Sequence, residues 1–510
     1  MNGWEILLRA TDALETAPSQ TQPSWLMDCL QRGEATEYGI KYGFRDIRGA
    51  GASRIADEYR AAVPMVTYED ISDLVRKMFD GRSDVLFPGR PVAYEMTGGS
   101  GGGGKLIPYS THSLADFRAN LLPWLGALIR TYRLGTGKAY MAISPAMRAS
   151  ESSPHGAPVG LPDGAYMGGD VLSAFLDISA VPPHVGELTS FEDWRTVTLY
   201  YLLRSFDLEL ISVWSPTFMS GILGGIAERG DELASLLRNG GAVGGLCLDA
   251  DSGALSRLCS YDGSNADVLW PGLKLVSCWT EGSSGQYALK LEKSLPQAYM
   301  AGKGLLLTEG VVTVPDRAGR PLPTPNGFTE FLDGHGCSLL AHELAPGRVY
   351  EVVMTTSGGL YRYRAGDAVR CDGFVGDAPI LRFVGRCGEA SDMVGEKLTD
   401  AFVAECMEYA NCRGILVPDR NPGHGVPGYL LLAENDVSGL VAKFETSLCR
   451  NPQYAYALKL CQLRPVEAVQ IDDLTERCVQ FFVSKGMRRG DVKIPTLCVD
   501  SNFLKEAVGL

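Results

Sequence analysis

The chain has no apolar run near the roughly 20 residues needed to cross a bilayer. The longest, around residues 121–129, is interrupted by Pro123. Its opening, MNGWEILLRATD, carries an acid at Glu5 and no basic stretch, so it does not read as a secretory leader. None of its 13 cysteines stands in a CxxC pair and their number is odd. That fits reduced, structural thiols and gives the expectation of a cytoplasmic protein. The six histidines are dispersed; His335 and His342 lie seven apart with no third ligand at zinc spacing. Positive charge is also short. A net charge of −13 argues against nucleic acid as a partner, and nothing suggests a membrane. Heptads, exposed apolar stripes and internal repeats are absent, so a monomer is expected.

The chain does have a glycine-rich stretch. Residues 97–105 read TGGSGGGGK. Such a loop can turn several backbone amides towards one anion, and a closing lysine adds a point charge for phosphate. Composition alone would make it a linker. It lies instead between two apolar segments, 91–96 and 106–109, that read as buried strands. It is not a P-loop. Gly99 to Lys105 fits GxxxxGK, but Leu106 stands where a magnesium-binding hydroxyl belongs, and Pro108 blocks a helix there.

With 510 residues the chain is too long for one core. A capping box at Ser113–Asp116 starts a helix whose apolar face includes Phe117, Leu121 and Leu125. Residues 211–219 and 273–280 read as strands running into loops, and 298–353 as β-rich. The polar segment RCGEASDMVGEK, residues 386–397, separates two apolar regions and marks a boundary. Beyond it, helices at 399–410, 440–449 and 474–483 alternate with strands at 414–417, 429–433, 457–463 and 494–499. That pattern predicts a small α+β domain with helices on one face of a sheet.

Three further segments carry polar chemistry. Trp279-Thr280-Glu281-Gly282 places a hydroxyl beside a carboxylate at a strand end, a pairing that suits a phosphate oxygen and a magnesium ion. TTSGGLYRYRAGD, residues 355–367, reads as strand, turn and strand, with Arg362 and Arg364 on one face and Asp367 beyond it. FVGRCGEASDMVGEK, 383–397, and GDVK, 490–493, each end on a lysine after glycine.

In this order the segments resemble the acyl-acid amido synthetases of the Gretchen Hagen (auxin-conjugating) family, within the adenylate-forming superfamily. TGGSGGGGK with KLIPYS looks like the family's phosphate loop, WTEG like its magnesium motif, and EVVMTTSGGLYRYRAGD is the most specific match. RFVGR, VGEKLTD and GDVKIP follow. The resemblance implies a mixed α/β and α+β fold. A large ATP- and acid-binding domain, 1–386, with mixed sheets and a β-rich section, would carry a small mobile C-terminal α+β domain, 387–510. ATP and Mg2+ are the implied cofactors. Thr97, Gly98, Gly99, Ser100, Gly101 and Lys105 would hold phosphates, Thr280 the α-phosphate, and Glu281 the metal. Asp367 would take the ribose hydroxyls, with Arg386 near the nucleotide. Lys397 and Lys493 are candidates to reach the α-phosphate from the small domain. Trp214, Phe218, Met219 and Arg118 are the candidate acyl pocket. The implied activity is adenylation of a small carboxylic acid and acyl transfer to an amine, usually an amino acid. A thioester ligase acting on coenzyme A or a carrier thiol, and a non-catalytic acid binder, are the alternatives.

Overall fold

The computed structural model describes residues 2–9, 17–96, 105–141, 151–161, 166, 168–264, 266–387, 390–420 and 425–509. The two strands beside the glycine-rich stretch, Ala93–Met96 and Leu106–Tyr109, pair antiparallel with Met96 opposite Leu106. The helix Thr111–Tyr132 follows at once. It starts one turn earlier than its sequence signal suggested. Ser110 is the cap: its hydroxyl accepts the Ser113 amide at 2.9 Å, and the Ser113 hydroxyl accepts the Ser110 amide at 2.9 Å.

Behind this helix lies a parallel four-stranded sheet in the order Tyr299–Ala301, Leu275–Ser277, Leu208–Ser212, Lys138–Met141. Successive side chains point to opposite faces, so each strand feeds two cores. Leu210 and Leu275 pack with Leu121, Trp124 and Leu128 of the helix on one face. Ile211 and Val276 pack with Leu199, Tyr200 and Ile222 on the other. Parallel sheets covered on both faces are the usual home of such apolar strands. The segment at 211–219 is not one strand and loop. The strand ends at Ser212, and Pro216 opens the helix Pro216–Glu228.

The β-rich section is an antiparallel five-stranded sheet, Ser338–Leu340, Phe328–Leu332, Val349–Thr355, Tyr363–Val375, Ala378–Arg386. N-terminal helices cover it, Trp25 and Leu30 of Pro18–Gly33 and Tyr59 of Ile55–Ala62 packing on Val352, Met354 and Val369. The TSGG turn is tight. Gly359 has φ +83°, and a Cβ there would lie 2.5 Å from Leu86 Cβ. Arg362 departs from the face assigned by strand alternation. Its φ is +48°, and the strand begins only at Tyr363. The buried guanidinium spans Glu330 at 3.0 and 2.8 Å and donates to the carbonyls of Arg60 and Val63, each at 2.7 Å. It is a bolt between the sheet and the N-terminal helices.

After Arg386 the chain builds a smaller unit. Strands Ile415–Asp419, Gly428–Ala433 and Glu467–Gln470 form its sheet. Helices lie on both faces, not one. Phe444 and Tyr454 pack on Leu416, Tyr429 and Leu431, whereas Cys478 and Phe482 pack on Ile415, Leu430 and Leu432. Both residue parities of GYLLLA are apolar, which is why two faces are covered. Residues 457–463, expected as a strand, belong partly to the helix Pro452–Lys459; the third strand is Glu467–Gln470. Residues 494–499 make a single bridge, Leu416 to Leu497. No helix among the described residues is long and apolar enough to cross a membrane.

Glu330→Ala should destabilise the protein by about 3–5 kcal/mol, because it strands the buried Arg362 charge. Glu351→Ala, whose partner Arg364 is 46 % exposed, should cost under about 1 kcal/mol. Urea midpoints for the two variants check this; equal shifts would contradict the bolt.

Candidate active site

Polar side chains from five segments converge above the antiparallel sheet. Lys105, one residue before the strand Leu106–Tyr109, points its Nζ at Tyr363 Oη, 3.3 Å away. It also stands 5.9 Å from the ring centres of Tyr68 and Tyr363. Tyr363 Oη in turn donates to Glu309 Oε1 at 3.3 Å. Thr97, Gly98, Gly99, Ser100 and Gly101 lie outside the described residues.

Glu309 was not singled out in the sequence. It sits with Thr308 in the two-residue turn joining Leu306–Leu307 to Gly310–Val311, with Leu307 opposite Gly310. Tyr109 Oη fixes that turn by donating to the Thr308 carbonyl at 2.5 Å. The turn reads TEG, repeating the Thr280-Glu281-Gly282 motif, and that repetition was the available signal. Burial raises the Glu309 carboxyl above its ordinary range; Asp367 raises it further, whereas Lys105 and Arg386 pull it down.

Asp367 and Arg386 face each other across neighbouring strands, Nε to Oδ1 3.6 Å. Gly366, at φ +75°, turns the chain just before, and its carbonyl accepts the Cys387 amide at 2.7 Å. Asp367 is 3 % exposed. Burial lifts its pKa, opposed by Arg386, Lys493 and Lys105. The carboxylate thus sits in a dry, cation-lined place.

Lys493 reaches this place from the smaller unit. Asp400 Oδ1 holds its segment, accepting the Thr496 and Leu497 amides at 2.7 and 2.9 Å. The Lys493 ammonium lies 3.4 Å from the Phe383 ring centre, a close cation–π contact. Burial pushes its pKa down to about 8, with Asp367, Asp400 and Glu281 opposing and Arg386 reinforcing the shift. Lys397 is not brought here; it is exposed, at φ +48°.

Glu281 stands on the other side of Phe383. Its Oε2 accepts the Phe383 amide at 2.9 Å, and burial raises its pKa. Gly282 lets the ring approach: φ is +57°, and a Cβ would lie 2.7 Å from Phe383 Cε1. Thr280 Oγ1 packs against Gly302, where a Cβ would lie 2.7 Å away. Glu281 and Gly282 thus support Phe383, on which Lys493 rests, while Glu309 is the carboxylate beside Tyr363 and Lys105.

The sequence-based acyl pocket is not assembled as expected. Phe218 and Met219 are in the core beneath the parallel sheet. Arg118 donates to the Tyr166 carbonyl at 2.7 Å, fastening a loop. Trp214 remains partly exposed beside Trp279, centroids 6.1 Å apart. A small cleft lies elsewhere, between Phe117 and Asn120 of the helix, Glu309, Asn326 and the turn at Thr356. It adjoins the charged cluster directly through Glu309.

A model described as the GH3 family N-terminal domain matches residues 7–300, more than half of the 510-residue chain, and one described as the GH3 family central domain matches 323–386. The chain is 27 % identical to the indole-3-acetic acid-amido synthetase GH3.15 of Arabidopsis thaliana, over 74 % of this chain and 70 % of the relative. It is 23 % identical to the indole-3-acetic acid-amido synthetase GH3.4 of the same plant, over 96 % and 90 %. The solved structure of the GH3.15 acyl acid amido synthetase in complex with 2,4-DB superimposes with a TM-score of 0.82 at 20 % identity, covering 97 % of this chain and 94 % of that one. A 2-hydroxyisobutyryl-CoA ligase in the postadenylation state shares the fold more loosely, with a TM-score of 0.52 at 12 % identity and coverage of 95 % and 90 %. From the glycine-rich stretch through the five-stranded sheet, the chain belongs to the GH3 family.

Proposed function

We propose that the protein is an ATP-dependent ligase that converts a small carboxylic acid to its acyl adenylate and passes the acyl group to an amino acid, forming an amide. The observation that carries this reading is the meeting of Lys105, Glu309, Asp367, Arg386 and Lys493 at one place beside a cleft. The membership in a family whose named relatives are amido synthetases supports it.

The chemistry needs what these residues offer. A carboxylate has no good leaving group. Its oxygen attacks the α-phosphorus of ATP, the α–β phosphoanhydride bond breaks, and pyrophosphate leaves. Lys105 meets the β- and γ-phosphate charge, and Lys493 meets the charge growing on the α-phosphate. Asp367 accepts hydrogen bonds from the ribose hydroxyls, with Arg386 alongside. The amine then attacks the acyl carbon, the acyl–phosphate bond breaks, AMP leaves, and the amine proton passes to solvent. The cleft must exclude water between the steps, since an adenylate hydrolyses.

A magnesium ion would offset the ATP phosphate charge. Glu309 would hold it more readily than Glu281, which the sequence motif nominated: Glu281 Oε2 is taken by the Phe383 amide, whereas Glu309 faces Tyr363 Oη, which Lys105 also meets. No three metal-ligating side chains cluster among the described residues. Magnesium suits such a site, because it takes one or two carboxylates plus phosphates and water. Residues 387–510 would rotate about the 386–390 stretch between the half-reactions, withdrawing Lys493 and giving Lys397 its turn at the site. A thioester ligase would use the same first half and differ only in the second.

Lys105→Ala, Glu309→Ala and Asp367→Ala should each lower acid-dependent ATP–pyrophosphate exchange by about 10²–10³-fold. Folded variants with wild-type exchange would remove that residue from the site. Free thiol in place of amino acids as the acceptor distinguishes the two ligase readings.

Lys493 carries its charge only below about pH 8 in the free protein. The kcat/KM for ATP, which reports free-enzyme groups, should therefore fall as pH rises through about 8. Lys493→Arg should shift that limb well upward. An unchanged limb in the variant would assign it to another group.

A further inference from the structure

One buried cation is not used in this scheme. Lys303, 4 % exposed, follows the strand Tyr299–Ala301. Its ammonium lies between two indoles, 5.2 Å from the ring centres of Trp124 and Trp214, and donates to Ser212 Oγ at 2.7 Å. Ser212, Ser277 and Ala301 end three adjacent parallel strands in one register row, so their side chains leave the sheet on the same face. That is the carboxyl edge of the parallel sheet, where open α/β sheets bind ligands.

Two more donors lie beside it, Ser277 in the register row and Trp124 as one of the two indoles. Trp124 is 7 % exposed and Ser277 is 0 % exposed. Among the described residues neither Trp124 Nε1 nor Ser277 Oγ has a hydrogen-bond partner. A buried donor without an acceptor costs free energy, so the pair asks for one. An ammonium, an indole N–H and a hydroxyl gathered in low dielectric at one sheet edge match an anion with two acceptor oxygens. The aromatic walls suit the apolar body attached to it. Trp124 is also one helical turn beyond Asn120, which lines the cleft at Glu309, so the same helix face leads from one place to the other.

We infer that Lys303, with Ser212, Ser277 and Trp124, forms a buried receptor for a substrate carboxylate at the carboxyl edge of the parallel sheet. The inference rests on the ligase reading for the identity of its ligands. The carboxylate belongs either to the acid or to the amino-acid acceptor, and the two arms of the test separate them.

The test is an ATP-free titration followed by tryptophan fluorescence, since two indoles flank the ammonium. Aryl, indolyl and fatty acids form one arm, free amino acids the other, and the carboxamide of each serves as control. Wild-type protein should respond to carboxylates of one arm and not to their carboxamides. Lys303→Met should weaken that binding about tenfold or more, the worth of a charge-assisted hydrogen bond. Ser277→Ala, which removes only an oxygen and keeps the core filled, should weaken it by a smaller factor in the same arm. Equal binding of acids and carboxamides, no response from wild type in either arm, or Kd values in both variants within twofold of wild type would overturn the receptor. Because no ATP is present, that failure is separate from loss of ligase activity, which pyrophosphate exchange reads.

Discussion

Asp367 sets the terms for the rest of the site. A carboxylate that is 3 % exposed is costly unless positive charge and donors meet it. Arg386 meets it from the neighbouring strand, Lys105 from the edge of the glycine-rich stretch, and Lys493 from the smaller C-terminal unit. Three distant parts of the chain are thus drawn to one point by one charge. On the proposed reading, a nucleotide entering there would bring ribose donors to Asp367 and phosphate charge to the cations already gathered around it.

The same charge explains the stance of the smaller unit. Lys493 stacks on Phe383, Phe383 fills the space left by Gly282, and Glu281 holds the Phe383 amide. That stack is one of several contacts joining the unit to the large domain, with Lys290–Glu434, Arg488–Glu95 and Tyr287, which packs on the smaller unit's core.

Much of this was legible because local signals carried it. The apolar runs beside TGGSGGGGK pair as strands, and TTSGG makes its turn for a steric reason, the pressure of Leu86 on Gly359. What was not legible depends on tertiary placement. Arg362 and Arg364 are indistinguishable in sequence, yet a left-handed backbone at Arg362 sends it into the core and leaves Arg364 outside. Phe218 and Met219, placed in the acyl pocket by the family resemblance, lie on a largely buried helix that Pro216 opens. Thr-Glu-Gly occurs twice, and only the fold shows which copy faces Lys105 and which braces Phe383. Lys397 and Lys493 both follow glycine-containing polar segments, and the orientation of the smaller unit alone separates them. Lys303 gave no signal at all, since a lysine two residues after a strand is ordinarily a surface charge.

The central claim is that the acid is activated by direct attack on the α-phosphorus. It is tested most directly with an acid carrying 18O in its carboxylate, drawn from aryl, indolyl and fatty acids, incubated with ATP and mixed amino acids. The account predicts AMP bearing one 18O and pyrophosphate bearing none. Label in inorganic phosphate, or AMP free of label while amide is made, would contradict it.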